Sequence, residues 1–167
     1  MRNLRTITML ACAMALPMFC HAQQEESSKA IETKACGDKE VNYSQTTEKN
    51  NHTMGVLTAD KALIYVLRPT LLGKPTQSKL AVDGEWMGVN RGNSYFFFLL
   101  APGKHYFCSH AENHSAIAVT VEAGKTYYIQ QEMQPGMMKG RTSLRVMDEA
   151  EAQKKLPKLE ISTWEVK

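Results

Sequence analysis

Four turn signals divide the second half of the chain into short segments with the composition of β-strands. The signals are the pairs Asp83-Gly84, Pro102-Gly103, Ala123-Gly124 and Pro135-Gly136. Between them, β-branched and aromatic residues are frequent, and residues 116–121 place every second, larger side chain on one face. Short strands between glycine-containing turns are typical of sandwiches. The pattern therefore predicts an all-β fold, an antiparallel β-sandwich of about eight strands with a short C-terminal helix.

The predicted strands differ in how strongly the sequence marks them. Asp83-Gly84 between two apolar runs is a hairpin signal, and the run at 94–100 is apolar enough for burial on both faces. Asp148 and Glu151 resemble a capping box that opens the helix, and Pro157 ends it. The eight predicted strands span residues 61–68, 79–82, 86–89, 94–100, 104–109, 116–121, 125–132 and 143–147.

The N-terminus has the parts of a secretory signal peptide. Arg2 and Arg5 precede an apolar run at 7–19, and the residues around Ala22 predict cleavage after about this position. The run is too short to span a bilayer, and no later stretch approaches ~18 apolar residues. Cys20 follows the bulky Phe19, so lipid anchoring is not expected. We predict an exported chain, periplasmic or extracellular, with no transmembrane segment in its mature form.

Composition divides the mature chain into three parts. Residues 23–60 are polar and are predicted to form a largely flexible leader, residues 61–156 form the sandwich domain, and residues 157–167 form a tail. Two of the four cysteines lie in the signal peptide, which leaves Cys36 and Cys108. In an oxidising compartment two cysteines suggest one disulfide, which would attach the middle of the leader to the domain.

The charge balance argues against a nucleic-acid binder. The whole chain carries 20 basic and 17 acidic residues, for a formal charge of +3. Removal of Arg2 and Arg5 with the signal peptide leaves the mature chain close to neutral. A nucleic-acid-binding domain usually has a clear excess of basic residues. We therefore expect no nucleic-acid partner.

The histidines are the first place to look for chemistry. His105, His110 and His114 lie close together in sequence, with Glu112 between them. In a strand, residues 105 and 110 point to opposite faces because their separation is odd, so their side chains do not converge as metal ligands must. We predict no metal, no cofactor and no catalytic residue, and we favour a binding protein over an enzyme. The alternative hypothesis is a small-molecule- or metal-binding enzyme that uses the His105–His114 region.

A binding surface at the ends of the strands is the favoured interpretation, because loops at the end of a sandwich usually carry its ligand contacts. Trp86, near the hairpin turn, is either a contact anchor or a core residue packed between the sheets. Met137 and Met138 follow a Pro-Gly turn and form either an adaptable apolar contact or a flexible loop over the end of the sandwich. The candidate binding residues are Arg68, Trp86, Arg91, Asn93 and Tyr95.

Several turn and strand motifs of the domain are those of one bacterial family. They are Ile64-Tyr65-Val66-Leu67-Arg68-Pro69, Val82-Asp83-Gly84 with Gly88, Asn93-Ser94-Tyr95-Phe96, Pro102-Gly103-Lys104-His105 and Ala123-Gly124-Lys125-Thr126-Tyr127-Tyr128. On these residues the chain from Ala62 to about Leu156 resembles the family called domain of unknown function 2846. The resemblance implies an exported β-sandwich and no established catalytic residues. We therefore expect a non-catalytic interaction or accessory module of the bacterial envelope, whose partner is an unknown envelope protein or ligand.

Overall fold

The computed structural model describes residues 26–37, 41–72 and 74–167. The predicted signal peptide, residues 1–22, lies outside the described residues. None of the helices in the described part of the chain has the length and apolarity that crossing a bilayer requires.

The described residues form ten strands, two short α-helices and one turn of 3₁₀-helix. Helix α1 spans Ser28–Ala35, helix α2 spans Glu149–Lys155, and the 3₁₀ turn spans Leu156–Lys158. All eight predicted strands are present, with ends within two residues of those expected. The strands are β1 (Tyr43–Glu48), β2 (Ala62–Arg68), β3 (Ser78–Val82), β4 (Glu85–Asn90), β5 (Ser94–Leu100), β6 (Gly103–His110), β7 (His114–Val121), β8 (Thr126–Gln134), β9 (Arg141–Met147) and β10 (Glu160–Val166).

The strands form two sheets, which confirms the all-β sandwich. One sheet has six strands in the order β1-β10-β5-β2-β8-β9, and the other has four in the order β4-β3-β6-β7. The expectation of a purely antiparallel sandwich is wrong for two pairs, because β10 lies parallel to β5 and β2 lies parallel to β8. The reason is that hairpins of the four-stranded sheet intervene between β2 and β8, so no tight turn joins these two neighbours.

The main core lies between the sheets. Ile64, Val66 and Phe96 of the six-stranded sheet pack against Leu80 and Phe107 of the four-stranded sheet. Every residue of β2 is buried, because this central strand is covered on both faces. Burial of such side chains contributes about 1.5–3 kcal/mol each, which makes this layer the main source of stability.

The outer face of each sheet is covered by a helix. Tyr65 and Tyr95 lie on the outer face of the six-stranded sheet in one cluster with Leu156 and Leu159, next to α2. Asp148 is the N-cap of α2 and accepts a hydrogen bond from the Glu151 backbone N–H at 2.8 Å, as the capping pattern predicts.

Helix α1 covers the outer face of the four-stranded sheet. The disulfide between Cys36 and Cys108 follows the helix directly, with a Cα–Cα distance of 5.1 Å. Ala35 packs against Ala81 of β3, and its carbonyl accepts a hydrogen bond from the Gly84 N–H at 3.1 Å. Within the leader at 23–60, which composition predicts to be largely flexible, the structure thus contains α1 and also β1.

The tail at 157–167 contains β10, which lies between β1 and β5. Trp164 packs edge-on against Phe96, with ring centroids 4.9 Å apart. The same ring lies over Gly88, where an added Cβ would be 2.6 Å from it. The sandwich therefore extends beyond the predicted boundaries of 61–156 on both sides, since β1 and β10 belong to its larger sheet.

Candidate anion-binding site

Four loops meet at one end of the sandwich. The Asn93 N–H donates to the Arg68 carbonyl at 2.9 Å, and the Thr76 hydroxyl donates to the Lys139 carbonyl at 2.6 Å. The Glu112 N–H donates to the Gly140 carbonyl at 3.2 Å. We call this surface the cationic end. It consists of residues 69–72 and 74–77 after β2, 91–93 after β4, 111–113 after β6 and 135–140 after β8.

A cleft of about 490 Å³ opens at the cationic end. Its basic lining residues come from four separate parts of the chain: Lys49 after β1, Lys74 after β2, Arg91 after β4 and Lys158 before β10. Glu160 is the one carboxylate among the described residues that line it. Asn93 also lines this cleft, so the structure brings two of the predicted binding residues, Arg91 and Asn93, together.

A second cleft of about 440 Å³ lies beside the first. Pro75 and Arg91 line both clefts. The second cleft adds Lys79 and Lys139 to the basic residues of this end and includes His110. Arg91 is therefore the basic residue that both clefts share.

The basic side chains of the first cleft are not neutralised by neighbouring carboxylates. Within the described ranges, none of Lys49, Lys74, Arg91 and Lys158 forms a salt bridge, and neither does Lys139 of the second cleft. The Nε of Arg91 is buried and has no hydrogen-bond partner among the described residues. A buried donor is ordinarily paired, so this guanidinium has capacity left for an acceptor oxygen.

The other end of the molecule has paired charges. There Glu26 accepts hydrogen bonds from Lys104, at 2.9 Å, and from Lys34, and these bonds lower the pKa of Glu26 to about 2. Lys125 pairs with Glu122 at 2.8 Å. Among the described residues, the five cations named above thus lack the carboxylate partners that Lys34, Lys104 and Lys125 have towards the other end.

Glu112 holds the loop at 135–140. Its carboxylate accepts backbone hydrogen bonds from Met137, Met138, Lys139 and Gly140 at 2.8–3.2 Å. These bonds, led by that from Lys139, lower the pKa of Glu112 to about 2. The carboxylate is thereby committed to the loop backbone, and the loop presents the side chains of Met137 and Met138 to solvent.

Arg68, a predicted binding residue, is fully buried and positions the wall of the clefts. Its guanidinium donates to the carbonyls of Thr76 and of Leu72, the latter at 3.1 Å, and to that of Asn90 at 3.4 Å. Burial lowers the pKa of Arg68 to about 10, so the group remains a cation at neutral pH. Arg68 therefore supports the loop that follows β2 and does not reach a ligand in the clefts.

A chain of buried polar side chains lies beneath the cationic end. Asn90 donates to Gln131 at 3.1 Å and accepts from Ser94 at 2.8 Å. Gln131 in turn donates to Ser109 at 2.9 Å. All four side chains are fully buried, and they link both sheets. Satisfied networks of this kind restrict side-chain rotation, which gives the loops above a rigid base.

The last two predicted binding residues lie away from the clefts. Tyr95 is buried on the outer face of the six-stranded sheet, where its hydroxyl donates to the Thr53 carbonyl at 2.8 Å. Trp86 is neither a core residue between the sheets nor a cleft residue. It lies on the outer face of the four-stranded sheet and stacks on His110, with ring centroids 6.1 Å apart.

The three histidines do not form one site. His105 bonds to Asp83 at 2.6 Å, near the opposite end of the sandwich. His110 and His114 face each other across the β6–β7 hairpin, with ring centroids 4.3 Å apart. The Nδ1 of His114 lies 3.1 Å from the carboxylate of Glu32.

One group of side chains in the described residues has the composition of a metal site. Donor atoms of Glu32, Cys36 and His114 lie within 4.8 Å of one another. The sulfur of Cys36 is committed to the disulfide, however, and a metal ligand needs a free thiolate. An imidazole and a carboxylate are left as donors of this group.

Several residues of the site were missed from the sequence alone. Lys49, Lys74, Lys139 and Lys158 are isolated lysines in polar segments, and no local pattern distinguishes them from other surface lysines. They share one property that only the strand topology reveals, since each lies in a segment that connects to strand ends at the same end of the sandwich. No sequence pattern indicated that the side-chain amides of Asn90 and Gln131 are buried.

Comparison with known proteins finds a family model that matches half of this chain. Residues 58–142 match the model of a family described as protein of unknown function (DUF2846). An uncharacterized protein of Haemophilus influenzae is 26% identical over 100 residues, which are 59% of this chain and 60% of that protein. The chain thus spans about 60% of the length of this relative. An NMR structure of a protein from Eubacterium rectale aligns over 52% of this chain and 88% of its own, with a TM-score of 0.38 and 10% identity.

Proposed function

The chain belongs to the DUF2846 family, and from this premise we propose that it is a non-catalytic interaction or accessory module of the bacterial envelope, which binds an anionic group of its partner at the cationic end. The observation that carries the proposal is the Arg91 guanidinium, which lies between two clefts with a buried donor that has no partner among the described residues. Guanidinium groups bind phosphate and carboxylate oxygens through paired, charge-assisted hydrogen bonds.

The chemistry of the first cleft supports binding more than catalysis. Its described lining consists of lysines, Arg91, the amides of Gln45 and Asn93, threonine hydroxyls, small or apolar residues and Glu160. No histidine or cysteine is among these lining residues. Threonine, lysine and glutamate can also act as nucleophiles or as general acids and bases, but among the described residues no hydrogen bond joins a threonine or lysine of this cleft to Glu160. Cations and amides instead suit an oxygen-rich anion such as a phosphate group.

Export is supported by two features of the sequence and structure. The N-terminal residues have the order of a signal peptide, with predicted cleavage after about Ala22. The Cys36–Cys108 disulfide is of the kind that persists in oxidising compartments. Expression of the full chain in a bacterium, followed by fractionation and intact mass measurement, is the test. We expect a periplasmic or secreted product that begins near Gln23, whereas a cytoplasmic product that retains Met1 would contradict export.

Binding of the anion is tested by an NMR titration of the chain from residue 23 onward. Glycerol 3-phosphate is the probe, because it carries one phosphate on a small uncharged body. We expect millimolar binding, with amide shifts at Arg91, Gly92 and Asn93. The variant Arg91→Gln should weaken binding at least tenfold, and Lys61→Gln, at the opposite end, is the matched control. Shifts absent from 91–93, or equal affinity in Arg91→Gln, would refute the proposed site.

A further inference from the structure

We propose that the cationic end docks on the surface of a bilayer that contains anionic phospholipids, with headgroup phosphates in the clefts and four apolar side chains at the lipid interface. The inference rests on the proposed function, since it names the headgroup phosphate as the anionic group. It adds a feature that phosphate binding alone does not explain, namely the exposed apolar side chains on the same end.

Two neighbouring loops present these side chains. Leu71 is 59% exposed and Leu72 is 49% exposed, whereas Met137 and Met138 are 95% and 90% exposed. The hydrogen bond of Thr76 to the Lys139 carbonyl joins the two loops. Large apolar side chains grouped on one surface indicate a contact with another molecule or with a membrane.

The loops cannot simply fold these side chains inward. The backbone N–H groups of Met137 and Met138 are each bound by the Glu112 carboxylate at 2.9 Å. On the other loop, Arg68 holds the Leu72 carbonyl at 3.1 Å, and the Leu72 N–H donates to the Thr70 hydroxyl at 3.1 Å. The hydrogen bonds of Glu112 and Arg68 therefore fix the backbone of the two loops, and the apolar side chains remain exposed to solvent.

On both loops a basic residue lies close to the apolar ones in sequence. Lys74 follows Leu72 after two positions, and Lys139 follows Met138 directly. Arg91 and the clefts lie beside both loops. Apolar side chains that enter the headgroup boundary, together with cations at the level of the phosphates, are the combination by which peripheral proteins bind anionic membranes.

A bilayer fits this surface better than an acidic protein. Besides arginine, protein interfaces usually contain large aromatic anchors in shaped, closely packed pockets. Here the four protruding side chains are flexible, unbranched or γ-branched aliphatic groups, and no Phe, Trp or Tyr occurs in the described residues of the loops or in the described lining of the two clefts. Methionine and leucine need no matching shape when they enter fluid lipid chains. The two clefts beside them then take phosphates from neighbouring lipids.

Vesicle flotation with the chain from residue 23 onward tests the inference. Vesicles of phosphatidylcholine alone are compared with vesicles that contain 30% phosphatidylglycerol, on the order of the anionic content that attracts basic surfaces. We expect binding to the anionic vesicles only, and a loss of binding as salt concentration rises. The double variant Met137→Gln/Met138→Gln should weaken vesicle binding at least tenfold, and Lys74→Glu/Lys139→Glu should abolish it.

Matched controls carry the same chemical changes elsewhere. Val56→Gln replaces a side chain that is 79% exposed outside the cationic end, and Lys61→Glu reverses a charge at the opposite end. Both should bind vesicles as the unmodified chain does. Vesicle binding that Met137→Gln/Met138→Gln leaves unchanged would overturn the proposed docking, because contact would then be electrostatic adhesion only.

The two proposals fail separately. If glycerol 3-phosphate binds at Arg91 but anionic vesicles do not bind, the lipid inference is overturned and the anion site stands. If an acidic envelope protein binds at the cationic end while vesicles do not, the lipid inference is likewise overturned. If Arg91→Gln changes neither phosphate nor vesicle binding, both proposals fail together.

Discussion

Arg68 shows how a single buried cation shapes the candidate site. Its guanidinium is fully buried and supplies hydrogen bonds to carbonyls of Leu72, Thr76 and Asn90, which belong to the walls of the clefts. The loop after β2 is also bonded to neighbouring loops through Thr70, Lys74 and Thr76, and the bonds from Arg68 hold it to the interior of the sandwich. A residue without ligand contact thus helps to fix the position of the residues proposed to make it.

We expect Arg68→Ala to lower the free energy of unfolding by about 2 kcal/mol, because it leaves buried carbonyl groups without donors. Urea denaturation of both proteins measures the difference. Arg141→Ala, at an exposed arginine near the same end, should change stability by less than about 0.5 kcal/mol. Equal losses in the two variants would contradict the role assigned to Arg68.

Glu112 acts on the neighbouring loop through its charge. Its pKa is about 2 in the folded chain and about 4.5 when unperturbed, because four backbone N–H groups bind the carboxylate. A depressed pKa in the folded state means that the ionised carboxylate contributes stability above pH 4.5, and that this contribution is lost as pH falls from 4.5 towards 2.

The variant Glu112→Gln should therefore release the loop at 135–140. We expect faster amide hydrogen exchange at residues 137–140 and a lower melting temperature at pH 7 than in the unmodified chain. The difference in melting temperature between the two proteins should shrink as pH falls from 4.5 to 2. Glu122→Gln, which removes a carboxylate at the opposite end, should leave exchange in this loop unchanged. A difference independent of pH would show that the charge is not what holds the loop.

At the scale of elements, the disulfide attaches α1 to the four-stranded sheet. It closes a sequence separation of 72 residues, and the chain-entropy model gives such a bridge about 4 kcal/mol at most. We expect Cys36→Ser/Cys108→Ser to lower the free energy of unfolding by up to that amount and to make α1 sensitive to limited proteolysis, while β2–β9 remain protected. Peptide mapping without reductant should find the two cysteines joined, and two free thiols in exported protein would contradict this.

Eight strands were predictable because the signals for them are local. Alternation, β-branched residues and turn glycines occur within each segment, and Asp83 and Asn93 indeed have positive φ at tight turns. β1 and β10 were missed because they are polar strands that pair mainly with each other, with paired residues 113 (Glu48 and Ile161) to 123 (Tyr43 and Val166) positions apart. Their burial depends on that pairing and on the packing of Trp164 over Gly88. Neither contact can be recognised in a short stretch of sequence, because the partners lie far apart along the chain.

The candidate site, like the fold, was predictable only where its residues lie in segments that the local sequence identifies. Arg91 and Asn93 were identified because they lie in a turn between two recognisable strands. The lysines of the clefts come from loops far apart in sequence, and they meet only because crossovers between the sheets bring the ends of β1, β2, β4 and β8 to one side. The structure places Trp86 and Tyr95 away from the clefts, on the outer faces of the sheets, because strand periodicity does not tell which face of a sheet a helix or segment will cover.

At the scale of the whole molecule, the charged side chains are unevenly distributed over the surface, although the net charge is small. Towards the other end Glu122 binds Lys125, and Glu26 binds Lys34 and Lys104. At the cationic end Glu112 is bound to backbone N–H groups, so it does not pair with a lysine. A chain with a small net charge thus has one end that attracts anions.

Because the cationic end carries both the clefts and the exposed apolar side chains, we predict that the molecule contacts a membrane with this end and that the opposite end points away from it. Strand β8 has nine residues, which corresponds to a length of roughly 30 Å from the turn at Gly124 to the cationic end. A fluorophore attached at Met138→Cys should be quenched strongly by nitroxide-labelled headgroups in anionic vesicles. The same fluorophore at Lys125→Cys, on the opposite end, should be quenched little, because it is held about one strand length from the surface. Equal quenching at the two positions would mean that the sandwich lies flat, and the clefts would then not face the headgroups.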